Sequence, residues 1–124
     1  MTGQAKPPRI LIVEDEPLIA AYVEVAVSDL GAECVGPFAR AESAMVVAST
    51  EPLDGALLDI ALAGGDGYQV ASILAARHIP FAFVTAYARS EVDRRWADRA
   101  FQAKPFVEAD IQRLVREFLP RPHA

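Results

Sequence analysis

Glu14, Asp15, Asp59, Thr85 and Lys104 are polar residues at the far ends of apolar runs, and gathered together they suit a divalent cation and a phosphoryl group. Glu14 and Asp15 follow the run 10–13, Asp59 follows 56–58, Thr85 follows 81–84, and Lys104 stands just before Pro105. Two like charges about 4 Å apart repel by roughly 4 kcal/mol at an effective dielectric near 20. A cluster of carboxylates must therefore raise a pKa or bind a cation. Oxygen-only ligands favour Mg²⁺, which takes few protein carboxylates, keeps several waters and is shared with a phosphate. On that chemistry Asp15 and Asp59 are expected as direct ligands, with Glu14 direct or through water. The backbone carbonyl of Ala61, just past Asp59, is expected to complete the set. Asp59 is then a candidate nucleophile toward phosphorus, Lys104 a partner for one phosphoryl oxygen and Thr85 a hydroxyl donor to another.

For these side chains to meet, the runs that carry them must be neighbouring strands. Runs of four or five apolar residues, bounded by polar or turn residues and separated by helical patterns, read as buried strands of a parallel sheet. Strands are expected over 9–13, 33–36 (ended by Pro37), 55–58, 81–84 and 100–103. Between them, Leu18, Ile19, Tyr22, Val23, Ala26, Val27 and Leu30 recur at helical spacing after Pro17, with Gly31 as the stop. A second helix is expected over 40–49, a third from an Asp66 cap to Arg77, and a final one marked by Ile111, Leu114, Val115 and Phe118. Residues 87–99 are rich in charge and show little apolar periodicity, so any helix there should be short or irregular. The fold class is α/β, a doubly wound five-stranded parallel sheet, and in such sheets the site lies beyond the carboxyl ends of the strands.

Composition bounds the function classes. The 124 residues make one domain, expected over 9–119 between disordered tails at 1–8 and 120–124. The 17 acidic against 12 basic residues give a formal charge of −5, which argues against nucleic acid or an anionic membrane surface. No run approaches the ~18 apolar residues of a membrane span, and the N-terminus lacks the apolar core of a signal peptide. The single Cys34 excludes an internal disulfide and reads as an inert core thiol, in keeping with a cytoplasmic protein. His78 and His123 have no carboxylate or Cys partners nearby in sequence and read as surface residues. Trp96 reads as packing over the sheet edge, and residues 64–67 as a turn.

The chain resembles the receiver domains of response regulators, the phospho-accepting half of two-component signalling. Ile12-Val13-Glu14-Asp15-Glu16-Pro17, Leu57-Leu58-Asp59, Val84-Thr85-Ala86 and Lys104-Pro105-Phe106 stand in that family's order, and the match covers about residues 9–119. The resemblance implies a flavodoxin-like, receiver-type sheet and a phosphoryl group accepted on Asp59 from a histidine kinase or a histidine phosphotransfer protein. It also implies a switch aromatic at Phe101, three before Lys104, with Tyr87 as the other candidate for the mobile ring. The segment 80–87, Pro-Phe-Ala-Phe-Val-Thr-Ala-Tyr, is similar to that of a subgroup of stand-alone receivers, from which Val84 and Ala86 depart. The loop after Asp59 lacks the proline often found there, and the interval from Thr85 to Lys104 is short for the family. Output is expected through contact with a downstream protein on the surface 87–108. A receiver that works without phosphorylation is the alternative among binding modules. A small Mg²⁺-dependent phosphohydrolase would need a general acid near the nucleophile and a substrate cap, yet Ala61 stands two past Asp59 and no insertion could form a lid. No enzymatic activity is expected beyond Mg²⁺-dependent phosphorylation and dephosphorylation of the chain itself.

Overall fold

The structure, a computed structural model, describes residues 6–119; residues 1–5 and 120–124, and with them most of the two expected tails and His123, lie outside the described residues. Pro8 is already tied to the sheet, since its carbonyl accepts a hydrogen bond from the Glu33 N–H at 2.8 Å.

Five parallel strands form the main sheet: β1 (Arg9–Val13), β2 (Glu33–Phe38), β3 (Gly55–Leu58), β6 (Phe81–Thr85) and β7 (Ala100–Ala103). Their order is β2-β1-β3-β6-β7, so the sheet is wound in both directions from β1. The helices α1 (Pro17–Ser28), α2 (Ala41–Thr50), α3 (Gly67–Ala76) and α4 (Glu108–Phe118) supply the crossovers. A two-residue hairpin, β4 (Ala61–Leu62) with β5 (Gly65–Asp66), fills the loop between β3 and α3 that sequence reads as a simple turn.

Side chains alternate along each strand and so feed two separate cores. Ile10, Ile12, Leu57, Ala82 and Val84 pack with Val23, Ala26 and Val27 of α1 and Ile111, Leu114 and Val115 of α4. Leu11, Val13, Ala56, Leu58, Phe81 and Phe83 pack on the other face with Ala44 and Ala48 of α2 and Val70, Ala71 and Leu74 of α3. Burial on both faces is what makes the central strands continuous apolar runs rather than alternating ones.

Three local features explain where elements begin and end. Pro17 opens α1 at a position where its missing N–H is no loss. Asp66 and Gln69 form a reciprocal capping box at the start of α3, the Asp66 carboxylate accepting from the Gln69 N–H at 3.2 Å. Strand β2 runs on to Phe38 instead of stopping at Pro37, because it is the edge strand, where a missing N–H breaks no ladder bond. The register slips between Leu11 and Val13 as β2 passes this point.

The connection from β6 to β7 contains no α-helix. Two single 3₁₀ turns, Arg89–Glu91 and Arg94–Trp96, take its place. Buried Val92 and Trp96 anchor it to the α2/α3 face of the sheet, Trp96 meeting Phe81 edge-on at 5.6 Å between centroids. Trp96, set among charges in sequence, is thus packed into the core on this face of the sheet.

Candidate functional site

All five chemistry-bearing residues sit at the carboxyl end of the sheet. Glu14 and Asp15 follow β1, Asp59 follows the adjacent β3, Thr85 ends β6 and Lys104 follows β7. Backbone bonds fix each position: Glu14 N–H to the Phe38 carbonyl and Asp59 N–H to the Val13 carbonyl, both at 2.9 Å, and Lys104 N–H to the Thr85 carbonyl at the same distance. The site residues are therefore extensions of the sheet's own ladder and inherit its rigidity.

The Lys104 Nζ bridges two carboxylates, 2.7 Å from Glu14 Oε1 and 2.9 Å from Asp59 Oδ2. The second oxygens are also used: Glu14 Oε2 accepts from the Glu16 N–H at 3.1 Å and Asp59 Oδ1 from the Ile60 N–H at 2.7 Å. Glu14 and Asp59 are nearly buried, whereas Asp15 is exposed at the rim. One carboxylate oxygen from each of Glu14, Asp15 and Asp59 lies within 4.8 Å of the others. Three acids thus share one ammonium, leaving the cluster short of positive charge. Burial pushes the Glu14 carboxyl above its usual range, with the hydrogen bonds from Lys104 and the Glu16 N–H acting in the opposite direction. For Lys104 burial works downward, but the bonds to Glu14 and Asp59 outweigh it and hold the ammonium above its ordinary value.

Thr85 is fully buried, and its Oγ1 accepts the Tyr87 N–H at 3.2 Å, leaving the hydroxyl proton available for donation. Tyr87 itself is exposed beyond the pocket. Phe101 is half-buried on the α2/α3 face, with the Arg89 guanidinium 5.4 Å from its ring centroid. Ala61 is exposed, two residues past Asp59, and pairs with Asp66 in the hairpin. His78 is exposed and half-buried Cys34 points its thiol at the Glu24 carbonyl, both far from this chemistry in the chain's order of elements.

One residue of the site's frame escapes a reading by residue type. A Cβ on Gly67 would come within 2.0 Å of the Asp59 carbonyl oxygen, and the Gly67 N–H donates to the Ile60 carbonyl at 2.8 Å. The first residue of α3 therefore rests directly on the backbone of Asp59. Its signal in sequence was a glycine immediately after a helix cap, one residue inside the helix where a glycine is otherwise unfavourable.

The response regulator receiver domain family matches residues 10–116, nearly the whole chain. The chain belongs to that family. This receiver is 35% identical over 114 residues to the phyllosphere-induced regulator PhyR of Methylorubrum extorquens, an alignment covering 89% of the chain and 43% of PhyR. The receiver spans about half the length of the curated relatives it matches. Among solved structures, SdrG from Sphingomonas melonis Fr1 is 35% identical with a TM-score of 0.80, covering 93% of this chain and 98% of that one. The receiver domain of the sensor histidine kinase PA1611 from Pseudomonas aeruginosa PAO1, with a magnesium ion coordinated in its active-site cleft, is 29% identical with a TM-score of 0.79, covering 90% and 97%.

Proposed function

We propose that this receiver accepts a phosphoryl group on Asp59 from a histidine kinase or histidine phosphotransfer protein and signals by protein contact as a stand-alone regulator in the cytoplasm. The observation that carries the reading is the Asp59 carboxylate held 2.9 Å from the Lys104 ammonium, with Glu14 and Asp15 oxygens within 4.8 Å. In the transfer, an Asp59 oxygen bonds to phosphorus as the phosphorus–nitrogen bond to the donor imidazole breaks, and the freed imidazole leaves with the electron pair. Lys104 is the fixed cation nearest the incoming charge, and Thr85 supplies a hydroxyl at the neighbouring strand end.

The donor set fits Mg²⁺, being oxygen-only, clustered and short of positive charge, with Glu14, Asp15 and Asp59 as the protein ligands and the Ala61 carbonyl as a further one. Such an ion supplies charge neutralisation for the phosphoryl oxygens. The magnesium in the PA1611 receiver's cleft supports the same choice here. Beyond its own phosphorylation and dephosphorylation the receiver has no reaction in this reading.

A protein partner is supported by the surface beside the pocket. Helix α1 exposes Leu18 (85%), Val25 (53%) and Tyr22 (41%) on one stripe at helical spacing. Tyr22 stacks on Phe106 at 5.8 Å, and the neighbouring Val107 is 60% exposed, so the stripe continues into the loop after Lys104. An apolar stripe bordering an acidic pocket suits the helix of a partner that brings its phosphohistidine to Asp59. Movement of Thr85 toward the new phosphoryl group, followed by Phe101 or Tyr87, would carry the signal outward.

Incubation with acetyl phosphate and MgCl₂ tests the acceptor. Intact-mass measurement should show one phosphoryl group added to the wild type and none to Asp59→Asn. Phosphorylation persisting in Asp59→Asn would defeat the assignment.

A further inference from the structure

We infer that Arg89 is a positioning residue that latches Phe101 in its half-buried seat and so restrains the rearrangement that follows phosphorylation; this rests on Asp59 being the acceptor. Residues 86–91 are all exposed, with no apolar anchor into the core until Val92. Arg89 is the residue of this stretch that reaches across to β7. Its guanidinium lies 5.4 Å from the centroid of the Phe101 ring, and its Nη2 donates to the Arg99 carbonyl at 3.5 Å. Thr85 stands four residues before Arg89, and Lys104 three residues after Phe101. The two strands that deliver Thr85 and Lys104 to the pocket are thus clasped outside it by one exposed side chain.

The other guanidinium–ring contacts of this region differ in kind. Arg95 and Arg99 lie 4.6 and 5.6 Å from Trp96, and Arg99 also lies 4.6 Å from Phe81. Both of those rings are buried core, so these contacts cover fixed surface. Phe101 alone in the set is half-buried, and it sits on β7, the opposite edge strand of the sheet. If Thr85 is drawn toward a phosphoryl group, the chain four residues on must follow, and Arg89 must leave the Phe101 ring. The contact belongs to the unmodified state and opposes the change. Removing it should shift the balance between the two states by about two- to fivefold, the range expected of an exposed cation–π contact.

The test uses the full chain with MgCl₂, comparing wild type, Arg89→Gln and Arg89→Lys by aromatic and amide NMR, before and after beryllofluoride. In Arg89→Gln the Phe101 ring and Tyr87 amide signals of the unmodified protein should be displaced toward their positions in beryllofluoride-treated wild type. Labelling by acetyl phosphate should rise about two- to fivefold, with Arg89→Lys, which keeps a cation over the ring, in between. A residue that merely stiffened the loop would alter neither the direction of these shifts nor the labelling rate. If Arg89→Gln keeps the wild-type signals and rate while wild type still responds to beryllofluoride, the latch is wrong and the acceptor reading stands. If wild type itself shows no response at Asp59 or Thr85, the acceptor reading falls and the latch falls with it.

Discussion

Without the Lys104 ammonium, Glu14 and Asp59 would face each other nearly buried, with no counter-charge between them. Lys104→Met should therefore lower stability by about 1–3 kcal/mol, less than the loss of a fully buried pair, because Glu14 can take up a proton instead. Urea denaturation should show the drop, and added MgCl₂ should recover more of it in the variant than it gains the wild type. Gly67 makes a sharper steric case. An added methyl would meet the Asp59 carbonyl oxygen at 2.0 Å; the methyl's position is set by its own backbone and the oxygen is backbone, so neither side can swing away. Gly67→Ala should cost about 1–3 kcal/mol in urea and also slow acetyl phosphate labelling, since relief of the clash displaces Asp59. The two residues differ in how visible they are from sequence. Lys104 is legible because an ammonium before a proline at a strand end has a chemical reason to be there. Gly67 acts through an atom it lacks, toward a residue eight positions away, and nothing short of the folded backbone reveals that distance.

At the scale of elements, the strands announced themselves and their boundaries did not. Buried strands are long apolar runs whichever way they pair, so β1 and β3 are found where the runs lie, and β6 extends past its run only by Thr85. The extension of β2 through Pro37 depended on its being an edge strand, a fact of sheet order rather than local composition. The hairpin within residues 61–66 is held by pairing two residues on each side, too short to leave a pattern. That the connection between β6 and β7 would hold at most a short or irregular helix was legible, because residues 87–99 offer no stripe to bury; that it would consist of two 3₁₀ turns with arginines lying on aromatic rings was not. Helix α3 ends in an unusual way. His78 follows it with a φ of 59°, its N–H bonding the Ala75 carbonyl while the Ile79 N–H bonds the Leu74 carbonyl. This left-handed stop is ordinarily glycine's, as at Gly31 after α1 with φ 81°. His78 is exposed, so its ring contributes little to offset the strain. His78→Gly should raise stability by about 0.5–1 kcal/mol, seen as a higher melting temperature with unchanged labelling of Asp59.

Across the whole molecule, the proposed docking stripe on α1 adjoins the acidic pocket, and mutation can test the two separately. Leu18 is 85% exposed on α1 and touches neither core, so Leu18→Glu should change folding stability by less than about 0.5 kcal/mol. Acetyl phosphate, which needs no docking surface, should label this variant at the wild-type rate. Transfer from a phosphorylated histidine kinase that labels the wild type should slow by about tenfold or more, the loss expected when a charge is placed in an apolar contact. Equal slowing with both donors would place the effect in the pocket rather than the surface. The sheet's polarity gives this separation a longer reach. Every reactive group stands where the strands finish, while the opposite rim is stitched by Arg9 to Glu33, Glu51 and the Pro52 carbonyl, and by Arg77 to the carbonyls of Ala48 and Glu51. Substitutions at the reactive end can therefore alter phosphoryl chemistry or docking while the far rim's contacts hold the scaffold in place.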